Sequence, residues 1–174
     1  DLGLKNKIFQ ILDENTPANA ILSSNTSGLS IDEIAAVTRR ADKVIGTNWW
    51  NPPHITPLIE IMKAKATSDE TVAYTRDLLM SLGKKPVVIL KPIQGFLGNR
   101  LQTALLREAL SLLEKNVASK EDIDTAVKYG PGFRWLALGP FEVVDFGGVD
   151  IYYGLTEHLN SDLDRSTDPS KTLG

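Results

Sequence analysis

PVVILKPIQGFLGNRLQTALLREALSLLEKN, residues 86–116, carries the change of pattern that decides the fold. Pro86 to Leu90 is short, apolar and rich in β-branched residues, as a buried strand is. Pro92 follows, and then Gly98 opens a helix that the spacing carries to about Asn116. Its apolar residues fall on two stripes, Leu101, Leu105 and Leu112 on one and Leu106, Leu110, Leu113 and Val117 on the other. A helix apolar on two sides is expected to be buried on two sides, in a helical core or at a subunit interface. No strand pattern follows Leu90, whereas strand and helix patterns alternate before it. The expected fold is α/β over residues 1–93 followed by an all-α part over 94–174.

Upstream, Leu4, Ile8, Ile11 and Leu12 keep helical spacing through the segment Leu2 to Glu14, which Pro17 ends. Ala20 to Leu22 reads as a short buried strand emptying into the polar run Ser24-Asn25-Thr26-Ser27-Gly28. Ser30 caps a helix predicted to about Val37, with Asp32 and Glu33 in its first turn. Lys43 to Thr47 and Leu58 to Met62 are further strands, separated by a segment that two prolines exclude from a ladder. Ser68 opens another helix, with Gly83 in the position of a left-handed C-terminal residue. Downstream, Ser119 to Asp122 forms a capping box for a helix with Ile123, Ala126 and Val127 turned inward. Pro140 starts a last helix predicted to run unbroken through Leu159.

Composition narrows the function classes. The 174 residues are 42% hydrophobic and 24% charged, which excludes a disordered chain. Nineteen Lys and Arg against 22 Asp and Glu leave a net charge of −3, with no basic excess for a phosphate backbone. No apolar run reaches the ~18–20 residues of a membrane span. The absence of cysteine removes disulfides, thiolate metal sites and a cysteine nucleophile together. A soluble cytoplasmic protein without a nucleic-acid, membrane or metal role is expected.

Three clusters can carry chemistry. Ser24 to Ser27 places short polar side chains at the carboxyl end of a strand, where α/β proteins bind small ligands; the same residues also satisfy an ordinary turn. Asn48-Trp49-Trp50-Asn51-Pro52-Pro53-His54, with Glu60 beyond it, supplies aromatic walls and amide handles for an organic substrate, or simply fills core space. His54 is one of two histidines and a candidate base, or a surface residue; His158 reads as structural. Gly95-Phe96-Leu97-Gly98-Asn99-Arg100 puts glycines at a helix N-terminus, suited to a close ligand approach or to a hinge.

Taken in order, these stretches resemble the L-3-hydroxyacyl-CoA dehydrogenase family nearly end to end. The likeness rests on Ser-Asn-Thr-Ser (24–27), Asn-Pro-Pro with Pro-Leu-Ile-Glu (51–60) and Gly-Phe-Leu-Gly-Asn-Arg (95–100). Ala-Ser-Lys-Glu-Asp-Ile-Asp-Thr-Ala (118–126) and Gly-Pro-Phe-Glu-Val-Val-Asp (139–145) complete it. Phe133-Arg134-Trp135 looks more like the branch of 3-hydroxybutyryl-CoA, L-gulonate and L-carnitine dehydrogenases. The resemblance implies the carboxyl-terminal part of a Rossmann-type NAD-binding domain joined to a helical dimerisation domain. It implies NAD as cofactor, an acyl-CoA substrate, a homodimer, and oxidation of an L-3-hydroxyacyl-CoA to the 3-ketoacyl-CoA in fatty-acid metabolism. In such enzymes a histidine takes the hydroxyl proton, and a glutamate twelve residues later orients it. Glu60 matches that glutamate, and Ser27 and Asn99 match positions at the substrate. Asn25 and Asn51 match the nicotinamide side and the site wall, and Lys5 a lysine near the cofactor edge.

Two departures bear on activity. The base position is Asn48, and an amide takes up no proton at neutral pH. Nor do the 174 residues contain the Gly-x-Gly-x-x-Gly that seats a pyrophosphate on a helix N-terminus. The resemblance places Lys5 roughly a hundred residues into a family member, so the first βαβ half is expected to lie outside this sequence. Catalysis by this chain alone is therefore not expected. A non-catalytic dimerisation and acyl-CoA-binding relic remains open beside the dehydrogenase, as does a sister enzyme acting on L-gulonate or L-carnitine.

Overall fold

The computed structural model of the protein describes residues 1–26 and 28–173. They form two compact units, Asp1–Arg100 and Leu101 onward.

The first unit is built on a four-stranded sheet of β1 (Leu22–Ser24), β2 (Val44–Trp49), β3 (Leu58–Lys63) and β4 (Lys85–Ile89), in that spatial order. β1 and β2 are parallel, as are β3 and β4, while β2 and β3 run antiparallel. That reversal follows from the short connection at residues 50–57, since a parallel pair needs a crossover of a dozen or more residues. Helices cover both faces. Leu22, Val44, Met62, Ala64 and Ile89 pack under Phe9 of α1 (Leu2–Asn15), under Ile31, Ile34 and Ala35 of α2 (Ile31–Ala35), and under Phe96. On the other face Ile45, Ile59 and Ile61 pack against Leu79 of α3 (Asp69–Ser81). Alternate residues along each strand thus feed two separate cores.

Several boundaries differ from those the sequence predicts. The strand expected at 20–22 lies at 22–24, because Pro17 to Ala20 closes a turn first and Ser23 then anchors the strand through Thr47, Oγ to Oγ1, at 2.8 Å. β2 extends to Trp49 because Asn48 and Trp49 find cross-strand partners in Glu60 and Ile59. Ser30 and Ser68 cap their helices through side-chain oxygens, and Gly83 adopts φ +75°, as predicted. Asp13, though buried, is held by Arg39 and Arg40 at 3.1 and 2.7 Å, which ties the end of α1 to the segment leading into β2.

The second unit contains most of α4 (Gly98–Glu114), then α5 (Lys120–Tyr129), α6 (Pro131–Trp135), α7 (Pro140–Gly147) and α8 (Val149–Leu159). α6 is not in the sequence prediction. The single last helix expected from Pro140 is two, broken at Gly148, whose φ of +98° an α-helix cannot contain. On α4 the two apolar stripes are partly open, with Leu101 65% and Leu106 45% exposed. No described helix is long and apolar enough to cross a membrane.

Candidate active site

Twelve residues of sequence separation become a cross-strand pair. Asn48 near the end of β2 stands opposite Glu60 on β3, on the face shared with α1 and α2. The Glu60 side chain is fully buried, and four N–H groups point at it. Asn48 Nδ2 and Trp50 Nε1 donate to Oε2 at 2.9 and 3.0 Å. The backbone N–H groups of Leu97 and Gly98 donate to Oε1 at 2.8 and 3.0 Å. A carboxylate offers about four acceptor directions, so these donors fill it.

The electrostatics follow. Burial pushes the Glu60 carboxyl up, but the hydrogen bonds from Gly98, Trp50, Asn48 and Leu97 together outweigh it and hold the group below the usual glutamate value. The start of α4 adds the positive end of a helix dipole next to the anion. The approach of Leu97 and Gly98 depends on a left-handed bend, with Gly95 at φ +77° and Phe96 at φ +53°. An aromatic residue at positive φ is unusual; here its ring is buried in the core below the bend. Gly98 also has no room for a side chain, since a Cβ would lie 2.1 Å from Cζ2 of Trp50.

The remaining sequence candidates are placed as follows. Asn25 lies just beyond β1, where its Oδ1 accepts the Trp49 backbone N–H at 3.2 Å. Asn51 is exposed in the turn after Trp50, Lys5 half-buried on α1, and Asn99 sits in the first turn of α4. None of Asn25, Asn51, Asn99 and Lys5 hydrogen-bonds Asn48 or Glu60. Ser27 lies outside the described residues. His54 is exposed in the turn and is not among the groups around Glu60. Trp49 turns to the opposite face, where Lys84 lies 5.7 Å from its ring centroid.

Sequence reasoning missed three of Glu60's donors. Trp50 reads as an apolar wall but supplies an indole N–H. The Leu97 and Gly98 amides are invisible in side-chain terms, although a glycine pair opening a helix was the available signal.

Dinucleotide binding needs a phosphate cradle as well as a site for the reacting ring. At the carboxyl end of β1, the Ser24 Oγ is buried with no hydrogen-bond partner among the described residues, beside Asn25 and Thr26, a polar lining that fits an amide-bearing ring. No glycine-rich turn for the pyrophosphate occurs in the sequence. The described residues therefore fit one end of such a cofactor and not its phosphates.

An α/β unit followed by a helical unit, with a buried carboxylate holding a side chain at a strand end, is the two-part architecture of the described residues. Residues 1–93 match the family described as 3-hydroxyacyl-CoA dehydrogenase, NAD binding domain, and residues 95–173 match its C-terminal domain. The chain belongs to the 3-hydroxyacyl-CoA dehydrogenase family. It is 38% identical over 97% of its length to a 5-formyl-3-hydroxy-2-methylpyridine 4-carboxylate 5-dehydrogenase of Mesorhizobium japonicum, of which it covers 54%. It is 42% identical over 86% of its length to the mitochondrial hydroxyacyl-coenzyme A dehydrogenase of Homo sapiens, covering 46% of that protein. A crystal structure of a 5-formyl-3-hydroxy-2-methylpyridine 4-carboxylic acid 5-dehydrogenase, described as an NAD+ dependent dismutase, superposes with a TM-score of 0.91 at 37% identity. The match covers 98% of this chain and 55% of that one. The chain spans about half the length of the relatives it matches.

Proposed function

We propose that the whole protein is an NAD-dependent dehydrogenase of a 3-hydroxyacyl thioester, with Asn48 at the place of the proton acceptor and Glu60 behind it. The observation that carries this is the 2.9 Å hydrogen bond from Asn48 to a buried, ionised Glu60. A base–orienter pair requires that geometry: one side chain at the mouth of a strand, fixed from behind by an acceptor that does not itself react. NAD, when bound, supplies the hydride acceptor. Asn48 holds a substrate oxygen by hydrogen bond but takes no proton, so the hydroxyl proton passes to water, and Glu60, with four donors, stays an anion throughout. Asn25, Asn51 and Lys5 are assigned to the cofactor side, and Ser27 and Asn99 to the substrate oxygens.

One observation supports a second reading, a non-catalytic acyl-CoA-binding and pairing module: the amide at position 48. Relatives described as L-carnitine dehydrogenases keep a free hydroxy acid among the candidate substrates. Pairing with a second copy is supported by aromatic and aliphatic residues left open on the helical unit, with Phe141 84% and Phe146 87% exposed.

The test is NADH formation at 340 nm from L-3-hydroxybutyryl-CoA, in the whole protein and its Asn48→His variant. A general base contributes roughly 10²–10⁴ in rate, so N48H gains by that order. Glu60→Ala then costs far more in the N48H background than in the Asn48 one. Equal rates for the parent and N48H remove position 48 from the chemistry.

A further inference from the structure

We propose that Trp50 is a positioning residue of this site, acting through Glu60 to set how firmly the carboxylate holds whatever side chain stands at position 48. This rests on the dehydrogenase reading for the role of position 48, but its geometry stands alone.

Trp50 Nε1 and Asn48 Nδ2 donate to the same oxygen, Oε2, at 3.0 and 2.9 Å. The other oxygen is occupied by two backbone amides that the bend at Gly95 and Phe96 holds in place. Among the described residues, Trp50 is therefore the one side chain that shares the charge facing position 48. Its indole has little freedom to leave, because the six-membered edge of the ring lies against Gly98, where even a methyl group would meet it at 2.1 Å. An ionised carboxylate oxygen divides its acceptor strength between its donors, and a charge-assisted hydrogen bond is about twice as strong as a neutral one. Removing the indole N–H concentrates Oε2 on residue 48, while the ring alone, without its N–H, does not compete.

The substitution Trp50→Phe keeps an aromatic ring and deletes the donor. Two measurements separate the proposed role from simple packing. In the chain as it stands, the Glu60 carboxyl carbon is followed by ¹³C NMR against pH. Loss of one of the stabilising donors moves its midpoint up in W50F, and an unchanged or lowered midpoint overturns the proposal.

The second measurement follows the imidazole of residue 48 in N48H and in N48H/W50F. With the competing donor gone, its titration moves up by about half a pH unit or more, the scale on which one unit is a tenfold change in proton affinity. A packing role alone loosens the pair and moves the midpoint down or not at all, which contradicts the proposal. Both readouts are independent of turnover. A whole protein carrying N48H that forms no NADH, with the W50F shift present in the chain, refutes the dehydrogenase reading and leaves the positioning role standing.

Discussion

Replacing Glu60 by glutamine tests the carboxylate as the centre of the site. The change keeps size and shape but exchanges one acceptor oxygen for an NH₂ group that only donates. Whichever way the amide turns, one pair of donors faces hydrogens: the Leu97 and Gly98 amides, or Asn48 and Trp50. Hydrogen bonds to a charged group contribute roughly 1.5–3 kcal/mol each, so two lost bonds cost about 3–6 kcal/mol. That is a large share of the roughly 5–15 kcal/mol that holds a domain together. The assay is urea unfolding followed by tryptophan fluorescence, to which Trp50 in the network contributes directly. A Glu60→Gln loss below about 1 kcal/mol, less than a single such bond, would falsify the description of Glu60 as a buried anion satisfied by four donors.

Three further substitutions have defined outcomes. Gly98→Ala drives a Cβ into the Trp50 ring and is expected to cost about 1–3 kcal/mol by overpacking, with a shifted Trp emission maximum; an unchanged spectrum and stability contradict the contact. Backbone and side-chain hydrogen bonds from Arg39, with Arg40 beside it, hold Asp13 below the usual aspartate value despite its burial. A carboxyl lowered in the folded state stabilises above its unfolded value and loses that contribution as pH falls through the folded one. Thermal melts from about pH 6 down to about pH 2 should thus show a shallower acid decline in Asp13→Asn than in the parent, and parallel curves exclude the effect. Gly148→Ala forces a side chain onto φ +98° and is expected to lower the melting temperature, since only glycine adopts this backbone freely; no change means that α7 and α8 are not broken there.

Part of this architecture is legible in the sequence, and physical reasons separate that part from the rest. Ser30, Ser68 and Ser119 announce their helices because a cap is a local event between residues three apart. The strand at 22–24 is displaced from expectation because serines 23 and 24 look like loop, and only the Thr47 hydroxyl across the sheet makes Ser23 a strand residue. The break at Gly148 is hidden because apolar periodicity continues through it, whereas the helix is ended by backbone conformation. At the site, the twelve-residue spacing of Asn48 and Glu60 is legible through family likeness, and the antiparallel turn between β2 and β3 gives it a structural cause. Trp50 is read as a wall because hydropathy treats an indole as apolar, and the direction of its N–H exists only in three dimensions.

The pairing of residue 48 with Glu60 is probed without substrate or cofactor by the imidazole titration midpoint of residue 48 in the Asn48→His chain, read by NMR. A histidine donating to the ionised Glu60 is held protonated, so its midpoint should lie above the ordinary value of about 6.5. A midpoint at or below that value means that the two side chains do not form a base and its orienter.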